Sequence, residues 1–211
     1  YYFDEDISST RTSDKNIYEA GINRISLSVF DSYGELAFKT SRNESVDVDD
    51  FGQIACSLSP GDYSFVVVAH KAHGNEEDAA DISATDKATI STSKLLKTFA
   101  VNQSVTVIAD QPNFVTIELG KRISSQFTLQ LQDGQPEEVA LCQIIMNPAG
   151  SETTEFVFNP STGFAYDTYL FKNEFQRSKM DGNSFMNHQL GLHCLVTENP
   201  QNVDIQINMK D

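Results

Sequence analysis

The sequence predicts an all-β protein of antiparallel β-sandwiches with few short helices, and three observations carry that prediction. Apolar and polar residues alternate in short runs, as in Ile25, Leu27, Val29 and in Leu190, Leu192, Cys194, Val196, which is the two-residue period of a half-buried strand. These runs recur at roughly ten-residue intervals with Gly, Pro, Asn and Asp between them, the rhythm of a sandwich. Finally, the stretch Leu58-Ser59-Pro60-Gly61-Asp62-Tyr63-Ser64-Phe65-Val66-Val67-Val68-Ala69 sets a Pro-Gly corner ahead of a run that is apolar on both faces. Tyr63, Phe65, Val67 and Ala69 share one face, Val66 and Val68 the other. Pro presets φ at the second position of a type II turn and Gly supplies the positive φ of the third. A strand covered on both sides belongs in the middle of a sheet.

In chain order, residues 1–16 are aromatic at the start and then polar without period, a flexible leader. Residues 17–119 read as an N-terminal sandwich domain and residues 120–211 as a C-terminal one. No Gly- or Pro-rich linker separates them, so the boundary near 110–122 is a crossing from strand to strand. Ile25, Leu27 and Val29 open a hairpin whose loop is Asp31-Ser32-Tyr33-Gly34 and which returns through Leu36 and Phe38. Residues 41–52 form an acidic loop. Ile54, Cys56 and Leu58 alternate up to the Pro-Gly corner, so 53–70 reads as a second hairpin. The polar, acidic stretch 70–91 is expected as a long loop, protease-sensitive over 71–92, and Ser93 as the cap of a helical turn over 94–97. Strand alternation resumes at Val105, Val107 and Ala109, residues 110–113 turn, and residues 114–119 read as a further strand.

The second half repeats this grammar. Phe127, Leu129 and Leu131 alternate, residues 133–136 turn, and residues 139–146 are apolar on both faces. After the turn at 147–150, Phe156 and Phe158 precede the turn 159–163, and Phe164 and Tyr166 follow it. Residues 170–188 read as loop with a weak strand. Leu190 to Val196 alternate, residues 198–201 turn, and Val203, Ile205, Ile207 and Met209 alternate against Asp204, Gln206, Asn208 and Lys210.

Charge narrows the partners. The 211 residues carry 15 Lys and Arg against 30 Asp and Glu, a formal net charge of −15. Phosphate binding draws on clustered cations, so this balance argues against nucleic acid and against a basic patch on anionic lipid. With 39% hydrophobic residues the chain has globular composition, and its apolar runs are far shorter than the ~20 residues a membrane helix needs. No signal peptide is visible, and a start at Tyr1 rather than Met reads as a mature or trimmed form. The three cysteines, Cys56, Cys142 and Cys194, form no CxxC and sit in strand-like runs, where a thiol behaves as a small hydrophobe. One disulfide is compatible with them, but the sequence does not choose a pair.

Chemical constellations are weak. His70-Lys71-Ala72-His73 beside Glu76, Glu77, Asp78 and Asp81 has ligand types for a metal, but two His three apart at a strand end do not share a face. Asp47, Asp49 and Asp50 lack the spacing and the closing bidentate Glu of a calcium loop. GxSxG and the phosphate loops are missing, and His193 and Cys194, adjacent in a strand, point to opposite faces. The expectation is a non-enzymatic protein without metal or cofactor.

The order of landmarks adds a resemblance. Residues 25–30 lead into Asp31-Ser32-Tyr33-Gly34-Glu35-Leu36, then comes Leu58-Ser59-Pro60-Gly61-Asp62-Tyr63 with its valine strand. Val115-Thr116-Ile117-Glu118-Leu119, Gly120-Lys121-Arg122 and the strand of Phe127 to Leu131 follow. This resembles the fimbrillin-like minor and anchor subunits of Bacteroidetes type V pili, by motif over about residues 22–131 and beyond by strand rhythm. A lipid-attachment Cys would have to lie upstream of Tyr1. The resemblance implies two transthyretin-like Greek-key sandwiches and a lipoprotein secreted across the inner membrane and held at the cell surface by its outer-membrane anchor. It also implies a structural or adhesive role in pilus assembly, with other pilus or surface subunits as partners through β-strand augmentation. Val203, Ile205, Ile207 and Met209 have the alternation a groove-filling strand requires, although an ordinary terminal strand of its own domain has it too. The alternative function is a carbohydrate- or ligand-binding surface sandwich. Beyond the leader the Tyr residues are scattered, with Tyr166 and Tyr169 closest together, and Trp is absent. A third is a calcium-dependent adhesin.

Overall fold

A computed structural model describes residues 21–47, 51–72, 80–91, 95–120, 122–133, 135–199 and 203–211. The expected leader and the expected Ser93 cap lie outside the described residues. Among those residues the chain is almost wholly β: strands β1 (Arg24–Asp31), β2 (Leu36–Asn43), β3 (Gly61–His70), β4 (Asp81–Ala84), β5 (Lys87–Ser91), β6 (Thr98–Val107), β7 (Ser124–Gln130), β8 (Leu141–Met146), β9 (Glu155–Phe158), β10 (Phe171–Gln176), β11 (Gln189–Leu195) and β12 (Ile205–Lys210). Two single-turn 3-10 helices, Arg177–Lys179 and Asp181–Asn183, follow β10. Every ladder between these strands is antiparallel.

The first sheet runs β2-β1-β3-β6. The sequence puts β3 at its centre for a physical reason. With both faces apolar, it is stable only where both are covered and both edges are paired. β3 pairs with β1 from Tyr63 to His70 and with β6 from Gly61 to His70. Val66 and Val68 face one core with Phe30 and Ala100, while Phe65, Val67 and Ala69 face another with Ile25, Leu27 and Val29. The β1–β2 turn forms as expected: Gly34 takes φ 83° and the Asp31 carboxylate accepts the backbone N–H of Tyr33 and Glu35 at 2.9 Å each. The Pro-Gly corner differs from the type II turn the sequence predicts. Gly61 stands at φ 157° and is already paired with Val107, so it opens the strand instead of closing a turn.

Three segments depart from expectation. Residues 53–59 and 114–119 alternate like strands but join no ladder. They lie across the outer face of the first sheet, where Ile54, Leu58, Ile117 and Leu119 pack half-buried against its core. Conversely, the stretch read as one long loop over 70–91 contains the β4–β5 hairpin, with Ile82, Ala88 and Ile90 buried. That hairpin extends through β9 into a sheet β4-β5-β9, Ala88 opposite Phe158 and Ile90 opposite Phe156. The Ser28 hydroxyl donates to the Ile82 carbonyl at 3.3 Å across the two layers. The 119/120 point lies in the connection between β6 and β7, and β9, from beyond it, completes a sheet begun before it.

The rest of the chain forms a second pair of sheets, β10-β8-β12 and β11-β7. They enclose Cys142, Ile144, Met146, Phe171, Phe185, Leu190, Leu192 and Cys194, which continue the core around Val66 and Val68 without a break. Phe156, Tyr169 and Phe171 stack at centroid distances of 4.7 to 6.5 Å, and the Tyr169 hydroxyl accepts the Val157 N–H at 3.1 Å. Removing one such buried ring typically costs about 3–5 kcal/mol. Gly150 closes the β8–β9 turn so tightly that a Cβ would stand 2.6 Å from the Tyr169 carbonyl carbon and 2.7 Å from the Leu170 nitrogen.

Two expected outcomes follow. Gly150→Ala should destabilise the protein by about 1–3 kcal/mol, because backbone rather than a yielding side chain opposes the methyl. A lowered melting temperature by circular dichroism checks this, and an unchanged one contradicts the packing of that turn. The cysteines supply the second. All three are unpaired thiols, Cys56 exposed and Cys142 and Cys194 buried, and burial pushes the Cys194 thiol up to about 11. Iodoacetamide at pH 8 should alkylate Cys56 in the folded protein and reach the other two only in denaturant, as read by peptide mass. Equal labelling of Cys194 would mean that the second sandwich is not closed over it.

Candidate functional site

The side chains singled out at the C-terminus are brought together by strand register. In β12, Ile205, Ile207 and Met209 stand opposite Met146, Ile144 and Cys142 of β8. Paired residues share a face, so the apolar row of β12 points to the side on which β8 carries its buried residues. A polar row on the opposite face fixes this register. The Asn208 amide donates to Gln143 Oε1 at 2.9 Å, Gln143 donates to Glu174 Oε1 at 2.6 Å, and Lys172 Nζ lies 2.9 Å from the same carboxylate. The Lys172 ammonium and the Gln143 amide hold the Glu174 carboxyl below its usual range. A one-residue slip would break that row and turn the apolar one outward.

Although it faces the core side, the β12 row is not covered. Ile205, Ile207 and Met209 keep 41%, 42% and 37% of their surface exposed, and Val203, just before the strand, keeps 48%. The cause lies in the strand count of the two facing sheets. β10 adjoins β11, where the Asn173 amide donates to the Gly191 carbonyl at 2.8 Å. From that seam, among the described residues, one sheet extends by two further strands, β8 and β12, while the other extends by β7 alone. At about 4.8 Å per strand, the β7 sheet ends one strand short of β12.

β7 contributes the matching wall. Phe127 and Leu129 pair with Leu192 and Leu190, which are buried, and so lie on the core face, yet both are only half-buried. Among the described residues no strand pairs with the outer edge of β7 or of β12. Natural edges are commonly guarded by Pro, bulges or an inward charge. Residues 205–209 have none of these, and Lys210 stands only at the end. Sequence reasoning found the β12 row from its alternation. It read Phe127 and Leu129 as strand residues but not as part of a site, since their half-burial depends on what fails to stand beside them.

Among the described residues the other candidates are not assembled into a site. His70 is buried between β1 and β6, with His73, Glu76, Glu77 and Asp78 outside the described residues and Asp81 paired with Lys39 on the surface. The Asp47 carboxylate accepts the Asn43 N–H at 2.8 Å and faces Arg42, while Asp49 and Asp50 lie outside the described residues. Among the described residues no three His, Cys, Asp or Glu side chains converge. Cys194 is buried and His193 half-exposed, on opposite faces of β11. Burial, and then the charges of Arg122 and Lys71, hold the His193 imidazole below its usual range.

No family model matches the sequence, and no curated protein does. Solved structures share the fold. A candidate adhesin from Bacteroides ovatus superposes with a TM-score of 0.54 at 11% identity, over 92% of this chain and 66% of that one. A candidate polysaccharide-binding protein from Bacteroides thetaiotaomicron gives 0.55 at 13%, over 90% and 69%. A second candidate adhesin from the same organism gives 0.52 at 10%, over 90% and 70%. The chain thus spans about two thirds of the length of each. At these identities the likeness is one of fold, and the fold is the β-sandwich architecture of these Bacteroides proteins.

Proposed function

We propose that this chain is a non-enzymatic surface protein that works by protein–protein contact, taking an added β-strand from a partner subunit into the open side of its second sandwich. The observation that carries this is the uncovered apolar row Ile205, Ile207 and Met209 on the core side of β12, with Val203 exposed just before it, one strand-width beyond the edge of β7 that no described strand pairs. A strand laid there meets the two needs of β-augmentation at once: backbone partners along β7 and an apolar floor for its alternate side chains. Complete burial of such a residue stabilises by about 1.5–3 kcal/mol, so covering the exposed two fifths contributes about 0.6–1.2 kcal/mol for each of the four. The names of the fold neighbours, adhesins and a polysaccharide-binding protein, agree with a binding role at a cell surface. The resemblance to type V pilus subunits supports placing the partner in a fimbria, with anchoring through a lipid upstream of Tyr1 in the outer membrane.

The test uses a ten-residue peptide with Val at alternate positions and Thr between, titrated into the protein by calorimetry with a parallel thermal melt. Saturable binding and a raised melting temperature are expected, and both should be lost in Ile207→Glu, whose own fold survives because the site is already wet. No binding, or equal binding by the variant, overturns the reading. If the full natural product refuses the peptide while residues 203–209 are protected within it, the strand comes from its own chain and the partner reading falls.

A further inference from the structure

A second concave site, away from the open edge, lies where the turn after β9 meets the segment after β11. It is a cleft of about 400 Å³, within the size range of small-ligand pockets. Its floor is Ala165, buried and bridged on one side to Phe158 and on the other to Thr197, with its N–H donated to the Val196 carbonyl at 2.8 Å. The backbone of the floor is therefore committed, and the cleft offers side chains instead of a strand edge. Those side chains are mostly polar, with Phe164 and Tyr166 as the aromatic ones. Asp167 and Glu198 bring carboxylates, Asn159 and Asn199 bring amides, and the lining contains no Lys, Arg or His.

Phe164, half-buried, and Tyr166, the more exposed, supply the apolar surface, and both ends of Tyr166 are tied. Its N–H donates to the Val157 carbonyl at 3.2 Å and its hydroxyl to the Asp86 carbonyl at 2.7 Å, while half of its surface stays exposed. An aromatic ring held in this way loses little freedom when a ligand covers it. The Asn159 oxygen already accepts the N–H groups of Ser161 and Thr162 at 2.9 and 3.3 Å, so its NH₂ is what it presents to a ligand.

A fixed aromatic face, acceptor-rich carboxylates and donor amides suit a ligand with one C–H face and a rim of hydroxyl groups. Two carboxylates within a chain of net charge −15 repel an anion. We propose that the cleft is a binding site for a neutral pyranose, one sugar ring stacked on Tyr166 with its hydroxyls shared among Asp167, Glu198, Asn159 and Asn199. This site is independent of the strand-taking edge, so either can fail without the other.

Saturation-transfer NMR with the intact protein tests it, using methyl α-glucopyranoside, methyl β-galactopyranoside and N-acetylglucosamine, with glucuronate as the charged control. At least one neutral sugar should receive saturation through its ring C–H protons, and glucuronate should not. Tyr166→Ala should weaken binding about tenfold, Tyr166→Phe by less because the ring remains, and Asp167→Asn should weaken it while admitting glucuronate. Circular-dichroism melts verify that each variant folds. No transfer to any neutral sugar, binding unaffected by Tyr166→Ala, or binding that requires added calcium would each overturn the proposal.

Discussion

The row of hydrogen bonds from Asn208 through Gln143 to Glu174 is the constraint on which the functional geometry depends. Gln143 is buried on the central strand of its sheet, and a buried amide left without partners would cost about 1–3 kcal/mol. Satisfying it from both sides pins β10 and β12 in register with β8. Because side chains alternate, pinning the polar row outward also pins Ile205, Ile207 and Met209 inward. What the row cannot supply is a lid, and among the described residues the facing sheet stops at β7. The exposed apolar row is thus a consequence of two well-determined features, a fixed register and an unequal strand count.

The sequence was readable where its signals are local. The β1–β2 turn follows from the side chain of Asp31 and the permissive backbone of Gly34, and the burial of β3 on both faces from its own valines. It was unreadable where pairing is non-local. Residues 53–59 and 114–119 alternate because one side of each rests on the first sheet, and alternation reports one-sided burial, not a ladder. Residues 81–91 form two strands with Ile82, Ala88 and Ile90 as their buried apolar content, so their small and polar neighbours hid them among loop residues. The candidate edge was half legible: β12 announces its stripe, but that no described strand pairs with the outer edge of β7 is a property of the assembled sheets.

The architecture separates support from contact. A continuous core runs from Val66 and Val68 through Phe156 and Phe158 to Ile144 and Leu190, so the sheets that carry the edge and the cleft are braced by the same packing. The edge offers backbone and an apolar floor, which suits a chain; the Tyr166 cleft has its backbone spent and offers polar side chains, which suits a small hydroxylated ligand.

Amide hydrogen exchange on β7 tests the central claim most directly, because it reads the outer edge itself. In the protein alone, the amides of β7 that bond to β11 should exchange slowly and those directed to its outer edge quickly, and the quick ones should become protected when a strand peptide is added. Outer-edge amides already protected in the full natural product, or still unprotected at saturating peptide, would contradict it.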